Sequence, residues 1–210
     1  MKGLLLKDFY VALKSCKMYF IIDAIFIVMS FALSEFLDDS IAFLLFPVLI
    51  SGEISISLLS FDEKSKWSKY SGALPYSAGQ MVSSKYLFSI IFVALTALVT
   101  FLAMIIHVNT IGGAALSEAA TDIGVMCIST FIITAVGLPL CFKFGTERGR
   151  IIFFMTIFLA AFLFANFADK LIALAQNRYI VWIIIAVVAA IYALSWFISV
   201  AIYSKREVTD

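Results

Sequence analysis

Hydrophobic positions along this chain run in long unbroken blocks instead of alternating or recurring on one face. Six blocks stand out, at roughly 19–36, 41–60, 86–108, 119–141, 151–168 and 179–203. Each holds at least about 18 residues, close to what a helix needs to cross the hydrocarbon core of a bilayer. Lipid offers no hydrogen bonds to bare backbone, and the alternation of a membrane barrel is missing, so each block is predicted to be a helix. A different pattern precedes them. On a helical wheel Leu5, Phe9, Ala12, Leu13 and Cys16 fall on one face of an N-terminal helix, with Lys7 and Lys14 on the opposite side. Such a helix lies in the interface plane with its lysine heads toward water or anionic headgroups; a cytoplasmic continuation of the first span is the other reading. The predicted fold class is an all-α membrane protein: six transmembrane helices behind an interfacial helix (1–18), no large extracellular domain, and a single transmembrane domain over residues 1–210.

Composition agrees: 63% of residues are hydrophobic and 14% charged, with a mean hydropathy of +1.08, against about 45–50% apolar and about 25% charged in soluble domains. Six spans use up the chain and leave no room for a soluble catalytic domain. The first 18 residues are charged throughout and lack the apolar stretch of a signal peptide, so they are expected to stay in the mature protein. Cys16, Cys127 and Cys141 form no spaced pair, which argues against a disulfide framework or a metal site and for small apolar packing residues. Charge sets the orientation. Thirteen of the fifteen Lys and Arg lie in the N-terminal segment, the 61–87 and 142–150 connections and the tail, while the other connections hold only Lys170 and Arg178. That asymmetry puts both termini and the 61–87 loop in the cytoplasm.

The 61–87 loop, FDEKSKWSKYSGALPYSAGQMVSSKYL, is longer than the roughly 2–8 residues a helical hairpin needs, and excess loop usually has a function. Asp62 with Lys66 (i, i+4) and Glu63 with Lys66 (i, i+3) predict a helical turn continuing out of span two, ended by Pro75. Trp67 and Tyr70 share one face of that turn, and Lys64, Leu74 and Tyr76 flank it. Two readings follow: an aromatic anchor at headgroup level with solvated charges, or a rigid amphipathic knob offered to a cytoplasmic partner.

The pattern Asp62-Glu63-Lys64-x-x-Trp67, Leu74-Pro75-x-Ser77 and Lys85-Tyr86-Leu87, with the N-terminal LLLKDFYVALKS, resembles the ABC-2-type membrane subunits of bacterial ABC exporters, in the short six-span branch. The resemblance covers essentially the whole chain and departs from the pattern at Ala78-Gly79, where many relatives carry a basic residue after the serine. It implies that residues 61–85 form the cytoplasmic coupling segment docking on a separate ATPase, with Asp62, Glu63, Lys64, Lys66, Trp67, Tyr70, Leu74 and Pro75 as contact residues. It also implies that the first helix, carrying Lys7, Asp8, Phe9 and Lys14, is the connecting helix. The expected assembly pairs this chain with a second permease, identical or homologous, and with two ATPase subunits that bind ATP and magnesium. Its expected place is the bacterial plasma membrane, multi-pass, with lipid as its surroundings and no nucleic acid as a partner.

This chain carries no cofactor site of its own in that reading, since it has no GxxxxGK[ST] phosphate loop. One histidine, no GxSx element and no HExxH argue against a hydrolase. Asp23 and Glu53 lie inside apolar blocks, where acids are rare and functional by default. They are candidates either for an inner vestibule receiving a cationic or amphipathic substrate or for structural pairs with Lys17 or Lys64. A proton-coupled secondary transporter using the same two acids is the alternative, weakened because Pro47 and Pro139 do not match under a three-plus-three repeat. His107, near the outer end of span three, is read as interfacial. Pro47 and the Gly137-Leu138-Pro139 stretch are read as helix kinks, and Asn166 and Thr156 as packing groups. By resemblance alone the cargo is expected to be a peptide or amphipathic toxin.

Overall fold

A computed structural model of the chain describes residues 2–36, 40–67, 70, 75–111, 116–152, 154–155 and 178–207. Among these residues the regular structure is helical throughout. Helix α1 (Lys2–Ser15) turns at Cys16 into α2 (Lys17–Ala32). A 3₁₀ stretch, Ser40–Leu45, leads into α3 (Phe46–Ser51), and Gly52 separates α3 from α4 (Glu53–Lys64). Then come α5 (Ala78–Ile111), α6 (Leu116–Phe144), a short helical segment 146–152 and α7 (Arg178–Glu207).

Four stretches are long and apolar enough to cross a bilayer: Ser40–Lys64, Ala78–Ile111, Ala120–Phe144 and Trp182–Lys205. They match the second, third, fourth and sixth hydrophobic blocks. The first block forms α2, whose 16 residues give about 24 Å of helix at about 1.5 Å per residue, short of the roughly 30 Å hydrocarbon core. The fifth block, with Thr156 and Asn166, lies outside the described residues apart from 151, 152, 154 and 155.

Helix α5 is the axis of the bundle. Near its start, Val82 and Tyr86 join Ile56 and Leu59 of α4 and Leu138, Cys141 and Phe142 of α6 in one buried cluster. One turn further, Phe88 and Phe92 pack with Ile54 and Leu58 of α4 and with Ala12 and Cys16 from the first helical corner. Toward its other end, Ala103 and Met104 close on Leu44 and Ile123.

The second span is built in pieces, for a reason written in its sequence. Pro47 sits in the first turn of α3, where its missing N–H costs nothing, so it starts a helix where a kink was expected. At Gly52 the amide bonds weakly to the Leu49 carbonyl at 3.4 Å, and the Val48 carbonyl accepts instead from Ser51 Oγ at 2.6 Å and Thr130 Oγ1 at 3.0 Å. A Cβ on Gly52 would stand 2.8 Å from Thr130 Cγ2 and 3.1 Å from Thr134 Oγ1, so only glycine lets this break lie against α6. Pro139, by contrast, sits inside a continuous α6.

His107 corrects an expectation. It is buried, not interfacial. Its Nε2 lies 3.2 Å from the Ser30 carbonyl and 3.3 Å from Ser40 Oγ, and its ring packs against Phe31. A histidine near a helix end can tie neighbouring helices together when they offer polar groups, and here the end of α2 and the start of the second span do so.

Candidate functional site at the basic end of the bundle

The first helix is amphipathic, but its packed face turns toward protein. Ala12 and Cys16 are buried against α4 and α5, Leu5 and Val11 pack beside them, and the Phe9 ring meets Phe88 edge-on at 5.6 Å. Leu4 and Asp8 are buried on the same side. A second apolar stripe, Leu6, Tyr10 and Leu13, is exposed, so Leu13 belongs with that face and not with the predicted one. Lys14 is exposed as expected. Burial pushes the Cys16 thiol up, against the opposing pull of the nearby Lys85 ammonium, in keeping with a packing residue.

Lys7 does not face water. It enters a cluster of four charges drawn from three segments. Lys85, 5% exposed on α5, and Asp8, 1% exposed on α1, meet at 2.6 Å, and Lys85 reaches Asp62 at the end of α4 at 2.6 Å. Lys7 closes the set at 2.8 Å from Asp62 and 3.2 Å from Asp8. The formal charges cancel, which is the condition under which such burial is tolerated. Asp8 and Asp62 are 54 positions apart in the chain, and Lys85 belongs to a third element. No local spacing announces such a set.

The coupling-segment residues are placed as follows. Helix α4 ends at Lys64, and Lys66 takes a left-handed conformation, φ 53°. The expected i,i+4 and i,i+3 pairs to Lys66 are therefore not made. Asp62 is held by Lys7 and Lys85, while Glu63 accepts from the Thr146 amide at 2.9 Å and from its hydroxyl at 2.5 Å. Helix α4 stops at Lys64, but Trp67 and Tyr70 are themselves helical, and residues 71–74, which lead into Pro75, lie outside the described residues. Trp67 is half-buried under Lys7, whose Nζ stands 4.4 Å above the ring centroid, and Tyr70 is 67% exposed. Leu74 and Lys69 lie outside the described residues. The loop closes on a reciprocal capping box: Gln80 N–H donates to Ser77 Oγ at 3.3 Å and Ser77 N–H to Gln80 Oε1 at 3.2 Å, which starts α5.

Asp23 and Glu53 are half-buried. The described residues give neither an ion pair with Lys17 or Lys64. Asp23 Oδ1 is buried with no hydrogen-bond partner. Glu53 lies within the field of Arg150, a residue that sequence reasoning missed. Arg150 Nη2 donates to Ser57 Oγ at 3.3 Å, and Ser57 in turn pairs with Tyr19 at 2.6 Å. No local spacing in the sequence links Arg150 to Glu53 or Ser57.

An open cavity of about 650 Å³ lies between α5, α6 and α7, walled by Tyr86, Phe131, Tyr192 and Trp196 among others. Its polar wall atoms are already engaged: Trp196 Nε1 donates to Ser83 Oγ at 3.0 Å, Tyr192 to the Tyr86 carbonyl at 3.1 Å, and the Tyr86 hydroxyl pairs with Ser195 and Ser199. What faces the space is hydrocarbon and aromatic ring.

Comparison with known proteins gives the family of the chain. The family model described as ABC-2 family transporter protein matches residues 3–204. No curated protein and no solved structure matches the chain.

Proposed function

Because the chain belongs to the ABC-2 transporter family, a family of membrane transport subunits that work with an ABC ATPase, we propose that it forms half of the translocation pathway of an ATP-driven exporter and couples to its ATPase through residues 61–85. The observation that carries this reading is the four-charge cluster. Lys7, Asp8, Asp62 and Lys85 tie α1, the end of α4 and the start of α5 together, and Trp67 rests on the outer edge of that knot with Tyr70 exposed beside it. A loop anchored this firmly is pre-organised for docking.

The rest of the assembly follows from that reading. The basic end faces the cytoplasm of a bacterial cell, both termini lie inside, and the Leu6, Tyr10 and Leu13 stripe of α1 rests on the inner leaflet. A second permease, identical or homologous, completes the pathway. ATP and magnesium belong to the two ATPase subunits. A peptide or other amphipathic molecule is the proposed cargo, a reading supported by the apolar cavity and by the unpartnered Asp23 carboxylate oxygen and Glu53 at the inner half of the bundle.

The test is copurification. Aromatic anchors at an interface cost about 2 kcal/mol or more on truncation, whereas rim lysines change little. Trp67→Ala is expected to lose the ATPase on detergent purification, while Lys69→Ala retains it. A normal ratio of ATPase to membrane subunit in Trp67→Ala removes the basis for docking here.

A further inference from the structure

The Glu63 carboxylate reaches out from the last turn of α4 and caps a helical segment 83 positions away. Its Oε2 accepts both the amide and the hydroxyl of Thr146, at 2.9 and 2.5 Å. Thr146 is the first helical residue after Gly145, whose φ of +82° turns the chain sharply out of α6. The carboxylate thus satisfies an amide left free at a helix start. One turn on, the segment is pressed home. A Cβ on Gly149 would stand 2.7 Å from Cys141 Cα, and Arg150 donates to Ser57 on α4. Two points on α4, Ser57 and Glu63, therefore grip two points on 146–152, namely Arg150 and Thr146. Asp62, the neighbour of Glu63, is held on another side by Lys7 and Lys85.

We propose that Glu63 is a positioning residue that fastens the end of α4 to segment 146–152, so that the loop after the second span and the loop after the fourth move as one body. A displacement of residues 61–67 by a docked ATPase then reaches the segment leading into the fifth hydrophobic block. This rests on the coupling role proposed for 61–85, but the fastening itself is a property of the chain alone. The charged acceptor matters, because a carboxylate hydrogen bond to a helix-start amide is stronger than a neutral one.

Amide hydrogen exchange tests both parts on the purified full-length chain and on its complex with the ATPase. Glu63→Ala is expected to speed exchange across 145–152 at least about tenfold, an opening made easier by loss of a charged bond, with Glu63→Gln in between because it still accepts from the amide. Unchanged exchange in Glu63→Ala overturns the fastening. If Glu63→Ala does not accumulate, Glu63→Gln serves instead, because the proposal rests on the charged acceptor, and unchanged exchange there is equally fatal. In the complex, ATP with vanadate is expected to alter exchange at 61–67 and 145–152 together in the wild type, and at 61–67 alone in Glu63→Ala. A response at 145–152 that persists in Glu63→Ala overturns the transmission. No wild-type response at 61–67 refutes docking at that loop and, with it, transmission from it, while the fastening is judged by the first experiment.

Discussion

Removing Lys85 is the most demanding perturbation of the charge cluster. Lys85 Nζ touches Asp8 and Asp62 at 2.6 Å each, so each contact carries roughly 6 kcal/mol of gross attraction at an effective dielectric of about 20. Most of that is offset by desolvation, for Lys85 is 5% and Asp8 1% exposed. What matters is what remains after substitution. In Lys85→Met the two carboxylates share only Lys7, which lies 3.2 Å from Asp8 and 2.8 Å from Asp62. Asp8 then sits buried with a single partner at longer range. Breaking a buried ion pair from one side costs about 3–5 kcal/mol, whereas removing both charges is close to neutral. Lys85→Met should therefore lower the thermal transition of the purified chain sharply and reduce its monodisperse yield. Asp8→Asn combined with Lys85→Met should recover most of that loss. The assay is thermal unfolding in detergent, with Lys64→Met as the exposed-lysine control. If Lys85→Met matches the control, or if the double substitution is as unstable as the sum of the singles, the cluster is not the knot described.

Gly52→Ala should cost about 1–3 kcal/mol by overpacking against Thr130, and Gly52→Ala with Thr130→Ser, which removes the clashing Cγ2, should regain part of it in the same melting assay. Cys16 and Cys141, both buried, should ignore a soluble maleimide in the folded chain while all three thiols react in denaturant; fast native labelling of Cys16 contradicts its packing. In a cysteine-free background, Lys66→Cys and Arg148→Cys should resist an impermeant thiol reagent in intact cells and Gly113→Cys should react, and labelling of Lys66→Cys from outside reverses the orientation. His107→Ala, which releases the Ser30 carbonyl and Ser40, should lower the melting temperature by an amount equivalent to about 1–3 kcal/mol.

The second, third, fourth and sixth hydrophobic blocks announced their helices because a bilayer leaves a long apolar run no other satisfied conformation. The wheel of the first helix found Ala12 and Cys16 on one face correctly, yet it could not say what covers them. An apolar stripe is equally content against lipid or against Phe88 and Phe92, and only the path of the chain decides. The same limit explains Lys7 and Asp62. Their side chains were assigned to water and to Lys66, the partners available within four residues, whereas the structure gives each a stronger partner from another helix. Glu63 and Thr146, and likewise Glu53 and Arg150, are related only through the packing of α4 against segment 146–152. The Gly52 break was also hidden, since ISGEISIS reads as continuous hydrophobic helix until Thr130 is brought alongside.

The divided second span has a mechanical meaning. Its far piece is held by the contacts among Ser40, His107 and Ser30, and its near piece by the grips on Asp62 and Glu63. Between them the Val48 carbonyl has already given up its helical partner for Thr130. A bend at this joint would cost no ladder hydrogen bond there, because that bond was surrendered during folding. If the two halves tilt separately about it, a pull at the basic end need not open the opposite end at the same moment. In a pathway that must never be open to both sides at once, such a joint would act as a delay line.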